Sequence, residues 1–286
     1  MAKAISSPSK TKELLASYGL KAKKGFGQNF LVDPMITKKV AQVAEAEELV
    51  IEIGPGIGGL TEQLSLIAKK VIAYEIDESL KDVLYDNFKD AKNVLIYFQD
   101  FLQVDLTKEM QSWQKTFTKI SVCANLPYYI TSPVLFKLFE QSNITTITVM
   151  VQKEVGDRFY AKVHGSEYSA LSVEAQSYYQ IKKLFVVPGR SFNPSPKVDS
   201  LIVQLRRKEE IPSFNRSLYF QFVRDCFSQR RKTIRNNLQK KYTIDEIEKV
   251  LSICNISINQ RPQNVSVEQY QKLFEVLYER KSICQN

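Results

Sequence analysis

A stretch of four residues, Asn125–Tyr128, directly follows an apolar run and combines groups that could handle an aromatic amine. The side-chain oxygen of Asn125 and the carbonyl of Leu126 or Pro127 can accept the two hydrogens of an amine such as adenine N6. The Tyr128 ring offers a surface on which an unstacked base can lie. Because such contacts aim the nitrogen lone pair at an electrophile, they favour alkylation of the amine without a general base.

In another context, Asn-x-Pro-Tyr would be typical of an asparagine turn followed by a core tyrosine. A second aromatic residue, Phe192, precedes the loop NPSPKVDS, which Pro194 and Pro196 stiffen and keep out of a sheet. We expect Phe192 to close on the opposite face of the base and Lys197 to meet a phosphate. A purely structural role for this loop is the alternative.

A glycine-rich loop lies between a predicted strand and a predicted helix, in the sequence IEIGPGIGGL. Gly54, Gly56 and Gly59 satisfy G-x-G-x-x-G, so a dinucleotide site is one interpretation of the loop. Glu52 directly before the loop and Pro55 within it give E-x-G-x-G. That form resembles the S-adenosylmethionine loop of class I methyltransferases.

Two acidic residues end the next two predicted strands, Glu75 in YEID and Asp100 in FQD. The spacing from Gly54 to Glu75 corresponds to one helix and one strand, which places the Glu75 carboxylate within reach of both ribose hydroxyls. Asp100 can accept from the exocyclic adenine amine in the same cleft. Ligands of open parallel sheets bind where the carboxyl ends of the strands converge, so the combination favours S-adenosylmethionine over a nicotinamide dinucleotide.

These residues require a parallel sheet to bring them together, and the pattern of elements predicts one. Short runs rich in Val and Ile alternate with segments of helical spacing, which indicates an α/β fold with a doubly wound, Rossmann-like sheet. The predicted strands are LVIEIG, KKVIAYEID, NVLIYFQD, KISVCANLP and TTITVMVQ, and the predicted helices between them are TEQLSLIAKK, ESLKDVLYDNF and SPVLFKLFEQ. Asp33-Pro34 is typical of a cap followed by proline at the start of a helix, MITKKVAQVAEA.

The pattern changes near residue 210. Two further strands are predicted on either side of the proline-rich loop, but only helical patterns follow from about Pro212 onward. We therefore predict a domain of residues 1–210 and a small, all-helical C-terminal domain of residues 211–286.

The net charge of +9 is concentrated in two segments. Residues 1–29 carry six lysines and one glutamate, and residues 206–241 carry eleven basic and three acidic residues. The remaining residues sum to −4 (9 − 5 − 8). This distribution favours contact with phosphates over a purely solubilising charge, although a solvated helix face is the alternative.

Other classes of site find little support. The four cysteines, at 123, 226, 254 and 284, form no C-x-x-C pair, and the single histidine, His164, lies in a loop-like stretch. We therefore expect no metal site, no disulfide framework and no Ser-His-Asp triad. The N-terminal residues lack the apolar core of a secretory signal and the apolar runs are too short to cross a bilayer, so a cytoplasmic protein without membrane contact is expected.

Seven motifs together closely resemble a known family, the bacterial ribosomal RNA adenine dimethyltransferases of the small subunit. They are GQNFL, EIGPGIGGLT, YEID, NLPYYITSPVLF, VQKEVGDRF, FNPSPKVDS and FSQRRKTIRNNL. The resemblance covers about residues 18–280. It implies a class I methyltransferase domain that dimethylates two adjacent adenosines in the 3′-terminal hairpin loop of 16S rRNA, within an immature 30S subunit. We expect the protein to be a monomer.

The same resemblance assigns residues beyond those inferred from chemistry. By position, the cofactor residues of the family fall on Asn29, Leu31, Gly54, Glu75, Asp100 and Asn125, beside Gly56 of the glycine loop. Gln28 is expected to help close the pocket, with the basic N-terminal arm folded back over the cofactor. The basic stretch after residue 226 is expected to contact rRNA phosphates through Arg230, Arg231, Lys232 and Arg235.

Two positions depart from the pattern of the family: Tyr129 stands where many relatives carry Asn, and Gln263 where an acid is usual. Neither changes the assignment. Two alternatives stay open, namely a methyltransferase of the erythromycin-resistance branch that acts on large-subunit rRNA, and a non-catalytic ribosome-assembly or mitochondrial transcription factor. The intact Gly54, Glu75, Asp100 and Asn-Leu-Pro-Tyr favour an enzyme.

Overall fold

The computed structural model describes residues 3–283. The chain divides into two compact units. As far as their residues are described, the first comprises Met1–Gly156 and Lys182–Arg207, and the second comprises Asp157–Ile181 and Lys208–Asn286.

A seven-stranded sheet is the centre of the first unit, with strand order β4-β3-β2-β5-β6-β9-β7. Strands β2 to β6 pair in parallel, and β9 pairs antiparallel with β6. Strands β1 and β8 form a separate antiparallel pair. The nine strands are β1 Phe30–Leu31, β2 Leu49–Ile53, β3 Lys70–Glu75, β4 Val94–Phe98, β5 Ile120–Asn125, β6 Ile144–Gln152, β7 Tyr179–Val187, β8 Phe192–Asn193 and β9 Ser200–Arg207.

The burial of each strand explains its residue pattern. Every residue of β2 is buried, and so are nearly all residues of β3 and β5, because strands inside a parallel sheet are covered on both faces. The edge strand β4 instead alternates between half-buried and exposed residues. The predicted α/β fold with a doubly wound sheet is therefore confirmed, including all five predicted parallel strands.

The described residues also form twelve α-helices. Helix α2 starts as predicted: Asp33 accepts hydrogen bonds from the amides of Met35 and Ile36, and Pro34 occupies the first turn. The helices are α1 Pro8–Ser17, α2 Pro34–Val43, α3 Gly59–Ser65, α4 Lys81–Phe88, α5 Leu106–Trp113, α6 Thr131–Phe139, α7 Lys153–Phe159, α8 Ala170–Tyr178, α9 Arg216–Cys226, α10 Ile234–Leu238, α11 Ile244–Ile253 and α12 Val267–Ile283. Short 3₁₀ turns occur at Lys24–Phe26, Glu78–Leu80, Phe101–Gln103, Gly189–Ser191 and Pro262–Asn264.

The N-terminal segment packs on the first unit. Ile5 and Leu14 are buried in an apolar cluster with Phe30 and residues of α4. The Ile5 amide also donates to the Glu62 carboxylate at 3.1 Å. The basic arm predicted from the sequence is thus anchored by apolar side chains, while lysines such as Lys12 and Lys21 are exposed.

The division into units differs from the predicted domains. Residues 157–181 were assigned to the first domain, but they belong to the second unit. Helix α8 explains this, because its buried Glu174 forms an ion pair with Arg224 of α9, and Tyr178 packs edge-on against Phe220. The chain passes from the first unit to the second for the last time between Arg207 and Lys208, close to the predicted domain boundary at residue 210.

The cysteines Cys123, Cys226 and Cys254 are buried as free thiols, and Cys284 lies outside the described residues. Between residues 3 and 283, no helix is long and apolar enough to cross a membrane.

Candidate functional site

A cleft lies at the carboxyl end of the sheet, where the strand order reverses between β2 and β5. In open parallel sheets this reversal leaves a crevice, because the loops on either side run in opposite directions. The cleft holds about 1180 Å³ of space, including open solvent at its mouth. All the sequence-predicted cofactor and base-binding residues line it: Gln28, Asn29, Leu31, Gly54, Gly56, Glu75, Asp100, Asn125, Leu126, Pro127, Tyr128 and Phe192.

The glycine loop after β2 forms one wall of the cleft. Gly54 and Gly56 have φ angles of 70° and 60°, in the left-handed region that side chains disfavour. A Cβ on Gly54 would point into the space beside Pro127, 3.9 Å from its Cδ. The loop therefore keeps backbone exposed to the cleft without side chains between it and a ligand.

Glu75 stands at the end of β3 and is only 4% exposed. Its two carboxylate oxygens accept from the Gly56 amide at 3.0 Å and the Asp77 amide at 2.9 Å. Burial raises the pKa of Glu75 to about 6, although these backbone donors oppose the change. Since each carboxylate oxygen has two lone pairs, the oriented group retains acceptor capacity for a diol.

Glu52 also lines the cleft, although the sequence indicated it only as part of the E-x-G-x-G motif. Its side chain is 1% exposed, and its Oε2 has no hydrogen-bond partner among the described residues. Burial raises the pKa of Glu52 to about 8; the Thr61 hydroxyl opposes this shift and the Glu75 charge reinforces it. A polar atom buried without a partner next to a cleft is completed by water or by a group of a ligand. The E-x-G-x-G spacing was the signal that could have identified it.

Asp100 follows β4 and is half-buried at the cleft. Its Oδ1 accepts from the Leu102 amide at 2.9 Å, which caps the short turn that follows. The other oxygen is left for a donor in the cleft. Asp100 is therefore a turn former and a cleft residue at once.

Asn125 ends β5 and joins two walls of the cleft. Its Nδ2 donates to the Asn29 carbonyl at 3.3 Å, and Asn29 in turn donates to the Gly27 carbonyl at 3.0 Å. With the carboxamide nitrogen engaged in this way, the Asn125 side-chain oxygen is the atom left to accept from a ligand.

The two candidate carbonyls after Asn125 have different surroundings. The Pro127 carbonyl already accepts from the Ile130 amide at 3.2 Å and the Thr131 hydroxyl at 3.0 Å. No described residue donates to the Leu126 carbonyl, while the Leu126 side chain is buried. The turn that starts α6 thus uses the Pro127 carbonyl as an acceptor and leaves the Leu126 carbonyl without a donor among the described residues.

Two tyrosines follow at the cleft. Tyr128 is half-buried, with its hydroxyl 3.1 Å from that of Ser200. Tyr129 is 53% exposed at the cleft, and its ring lies so close to Gly27 that a Cβ there would be 3.2 Å away. Tyr129 was identified only as a departure from the family pattern, and the exposed aromatic ring in the cleft was not predicted.

Phe192 reaches the cleft through strand pairing and not through a free loop. It pairs with Leu31 between β8 and β1, is 4% exposed and packs in the apolar cluster beneath the cleft. Its ring therefore supports the cleft floor in this structure, and stacking on a base stays a prediction. Lys197 is exposed in the loop after β8.

Apart from Lys197, which lies in the first unit, the predicted RNA-contacting residues belong to the second unit, and none of them lines the cleft. Arg230 donates to the Ser166 carbonyl, and Arg235 forms an ion pair with Glu248 at 2.7 Å. Arg231 and Lys232 are exposed. Arg231 and Lys232 therefore project into solvent, whereas Arg230 and Arg235 also bind protein groups.

The donor set fits S-adenosylmethionine. Glu75 offers an oriented carboxylate to hydroxyl donors, and Glu52 lines the same cleft with one oxygen that has no hydrogen-bond partner among the described residues. Glycine at position 54 leaves the space beside Pro127, which a Cβ would fill, open to the cleft. Among residues 3–283 no group of three or more His, Cys, Asp or Glu side chains is arranged to hold a metal ion.

A mostly parallel seven-stranded sheet, a glycine loop after its first strand and acids at the ends of the next two strands define a class I methyltransferase. The family model described as Ribosomal RNA adenine dimethylase matches residues 19–279. A relative from Bacillus pumilus, described as Ribosomal RNA small subunit methyltransferase A, is 41% identical over 287 aligned residues, covering 97% of this chain and 98% of the relative. A Staphylococcus epidermidis relative with the same description is 40% identical and covers 96% of both chains. The chain belongs to the ribosomal RNA adenine dimethylase family.

Solved structures agree with this assignment. A dimethyladenosine transferase from Plasmodium falciparum superimposes with a TM-score of 0.72 at 27% identity, covering 87% of this chain and 97% of the other. The 23S rRNA methyltransferase ErmE superimposes with a TM-score of 0.63 at 29% identity, covering 87% and 100%. The class I methyltransferase fold expected from the sequence is thereby confirmed.

Proposed function

We propose that this protein uses S-adenosylmethionine to dimethylate N6 of two adjacent adenosines in the 3′-terminal hairpin loop of 16S rRNA. The observation that carries the proposal is geometric: Asn125–Tyr128 line the same cleft as the glycine loop and Glu75. Membership of the rRNA adenine dimethylase family and the small-subunit description of its 40% identical relatives support the substrate.

The cofactor, when bound, supplies the methyl group. Glu75 accepts from the ribose hydroxyls, Asp100 accepts from the adenine amine, and the loop at Gly54 and Gly56 lets the backbone approach the ligand. The segment at Gln28, Asn29 and Leu31 covers the cleft.

Asn125 and the following loop hold the acceptor base. The Asn125 side-chain oxygen and the Leu126 carbonyl accept the two N6 hydrogens, because the Pro127 carbonyl is already engaged by the start of α6. Tyr128 stacks on the base, a contact that contributes roughly 1–3 kcal/mol. Alignment of the amine for attack lowers the activation barrier by up to roughly 7–11 kcal/mol. The alkylated N6 then loses its proton to water, so no general base is required before the transfer.

We also propose the cellular setting. The enzyme acts as a cytoplasmic monomer on an immature 30S subunit, with no membrane partner and no metal. Exposed basic residues of the second unit, with Lys197 of the first, meet the phosphates of the rRNA.

The test is transfer of labelled methyl groups to particles from a strain that lacks this methylation. We expect label on 30S particles at up to four methyl groups per particle, and little on 50S particles or naked rRNA. Asn125→Ala should remove transfer, whereas the matched variant Asn143→Ala, at a half-buried asparagine outside the cleft lining, should not.

Two outcomes would contradict the proposal. Label on 50S particles alone would place the enzyme in the erythromycin-resistance branch. No label on any particle, with normal RNA binding, would indicate a non-catalytic assembly factor.

A further inference from the structure

Asp77 is a buried carboxylate next to the cleft that no part of the proposed function uses. It lies two residues beyond Glu75, and its side chain is 2% exposed. Burial of an ionised carboxylate is costly unless donors surround it. The surroundings of Asp77 therefore show what the residue is for.

Two kinds of donor surround the Asp77 carboxylate. The Ser79 amide at 3.1 Å and the Ser79 hydroxyl at 2.6 Å are local and cap the short turn at Glu78–Leu80. The others come from far away in sequence: Lys23 Nζ donates to Oδ1 at 2.6 Å, and Gln28 Nε2 donates to Oδ2 at 2.7 Å. A residue that only capped a turn would not require the distant donors.

The distant donors belong to the segment Lys23–Asn29, which leads into the cleft. The segment is closed on itself, because the Lys23 amide donates to the Gln28 side-chain oxygen at 2.8 Å. Its far end is fixed separately, where the Asn29 carbonyl accepts from Asn125. The segment is thus held between the end of β3 and the end of β5.

The backbone of Asp77 contacts a second cleft residue, Glu75. Its amide donates to one oxygen of Glu75 at 2.9 Å, while Gly56 holds the other oxygen. One residue therefore links the segment that covers the cleft to the carboxylate that faces the ribose site. The pKa of Asp77 supports an ionised link: burial raises it, but the Lys23, Ser79 and Gln28 donors outweigh burial and lower it.

We propose that Asp77 is a positioning residue for the cofactor, which holds Lys23 and Gln28 so that the following residues lie against the cleft while its amide orients Glu75. The inference rests on the proposed function, because it assigns Asp77 to the binding of S-adenosylmethionine. It predicts that the Lys23–Asp77 ion pair stabilises the bound cofactor more than it stabilises the fold.

The experiment uses Asp77→Asn, Lys23→Met and the double variant in the full-length protein. Asparagine retains the turn cap but removes the charge that holds Lys23. Each single variant should weaken S-adenosylmethionine binding about tenfold by titration calorimetry. The loss in the double variant should be clearly smaller than the sum of the two single losses, because both changes remove the Lys23–Asp77 ion pair. Steady-state assays should show a higher KM for S-adenosylmethionine with kcat at saturation within about twofold of wild type.

The matched control is Asp105→Asn, another aspartate that caps a helix, at the Lys108 amide in the first unit, without contact to the Lys23–Asn29 segment. It should leave cofactor affinity unchanged. Lys23, whose side chain is 46% exposed, provides a variant that folds even if Asp77→Asn does not.

Unchanged cofactor affinity in Lys23→Met and Asp77→Asn, with normal binding by the wild type, would overturn the role of Asp77 alone. Failure of the wild-type protein to bind S-adenosylmethionine would overturn the proposed function, and the role of Asp77 would fall with it.

Discussion

At the scale of single residues, the cleft contains two buried carboxyl groups that differ in how many of their oxygens accept a hydrogen bond. Glu75 has a backbone donor on each oxygen, whereas one oxygen of Glu52 has none among the described residues. A carboxylate held in place by the backbone is prepared to recognise a diol, because little reorganisation is needed on binding. Burial raises the pKa of Glu52, and a raised pKa makes the stability of the fold depend on pH.

Replacing Glu75 with Ala should weaken S-adenosylmethionine binding about a hundredfold. The change removes charge-assisted hydrogen bonds to the ribose, and such bonds contribute roughly 1.5–3 kcal/mol each. Titration calorimetry measures the loss, and RNA affinity should be unaffected. The control Glu78→Ala removes an exposed glutamate three residues away. Unchanged cofactor affinity in Glu75→Ala would remove this residue from the ribose site.

Glu52 should make the cofactor-free protein less stable as pH rises. Its pKa is about 8 in the folded protein against an ordinary 4.5, so the folded state binds the proton more tightly. The stability due to this proton is complete below pH 4.5 and is lost as pH rises towards 8, at up to about 1.4 kcal/mol per pH unit. Glu75, with its pKa raised to about 6 by burial, acts in the same direction over a narrower range.

The variant Glu52→Gln tests this. Urea unfolding between pH 5 and pH 8 should show a flatter decline in stability than the wild type, and Glu78→Gln should parallel the wild type. A wild-type stability that rises over this range, with Glu52→Gln unchanged from it, would contradict the assignment.

At the scale of elements, the cleft depends on how the loop after β2 passes over α4. Gly58 precedes α3 with a φ angle of 94°, and a Cβ there would lie 2.4 Å from the Phe88 ring. Phe88 belongs to the apolar cluster that also receives Ile5, Leu14 and Phe30. The glycine loop is therefore fixed by the packing of the helix beneath it as well as by its own backbone.

Gly58→Ala should destabilise the first unit by about 2–4 kcal/mol, because backbone strain and overpacking add. Gly19→Ala is the matched control: its φ angle is also positive, at 61°, but nothing lies within 4 Å of the added Cβ. The control should cost about 1 kcal/mol from strain alone. Urea denaturation of both variants measures the difference in the free energy of unfolding. Equal losses of stability would show that the Phe88 ring moves aside without destabilising the fold.

At the scale of the whole molecule, the cleft and most of the basic stretch of residues 206–241 lie in different units, whereas the basic residues 1–29 belong to the unit of the cleft. The cleft belongs to the first unit, and the basic stretch after α9 belongs to the second. Protein contacts already engage Arg230 and Arg235, so Arg231 and Lys232 carry the prediction of phosphate binding. Substitutions at Arg231 and Lys232 are therefore expected to change RNA affinity without changing the cofactor cleft.

Reversing Arg231 and Lys232 to Glu should weaken binding to 30S particles and reduce the salt slope of log K by about 2, because two fewer counterions are released. Lys108→Glu with Lys115→Glu is the charge-matched control on exposed positions of the first unit. Filter binding at several salt concentrations measures both slopes. An unchanged slope in the Arg231 and Lys232 variant would mean that these residues do not meet phosphate.

The sequence by itself determined the fold class and several residues of the cleft. Periodicity and strand-end acids are local signals, and the carboxyl ends of parallel strands converge wherever such a sheet forms. Glu75, Asp100 and Asn125 could therefore be assigned to one site before any contact was known. The motif resemblance added Asn29 and Leu31, which lie far from the other motifs in sequence and carry no chemical signal of their own.

Only the tertiary structure decided how those residues are partnered. Hydrogen bonds between distant segments depend on side-chain geometry that no spacing encodes, so the Pro127 carbonyl proved to be engaged, Glu52 unsatisfied and Asp77 linked to Lys23 and Gln28. The same reason explains why residues 157–181 join the helical unit: a buried ion pair and aromatic contacts with later helices outweigh closeness in sequence.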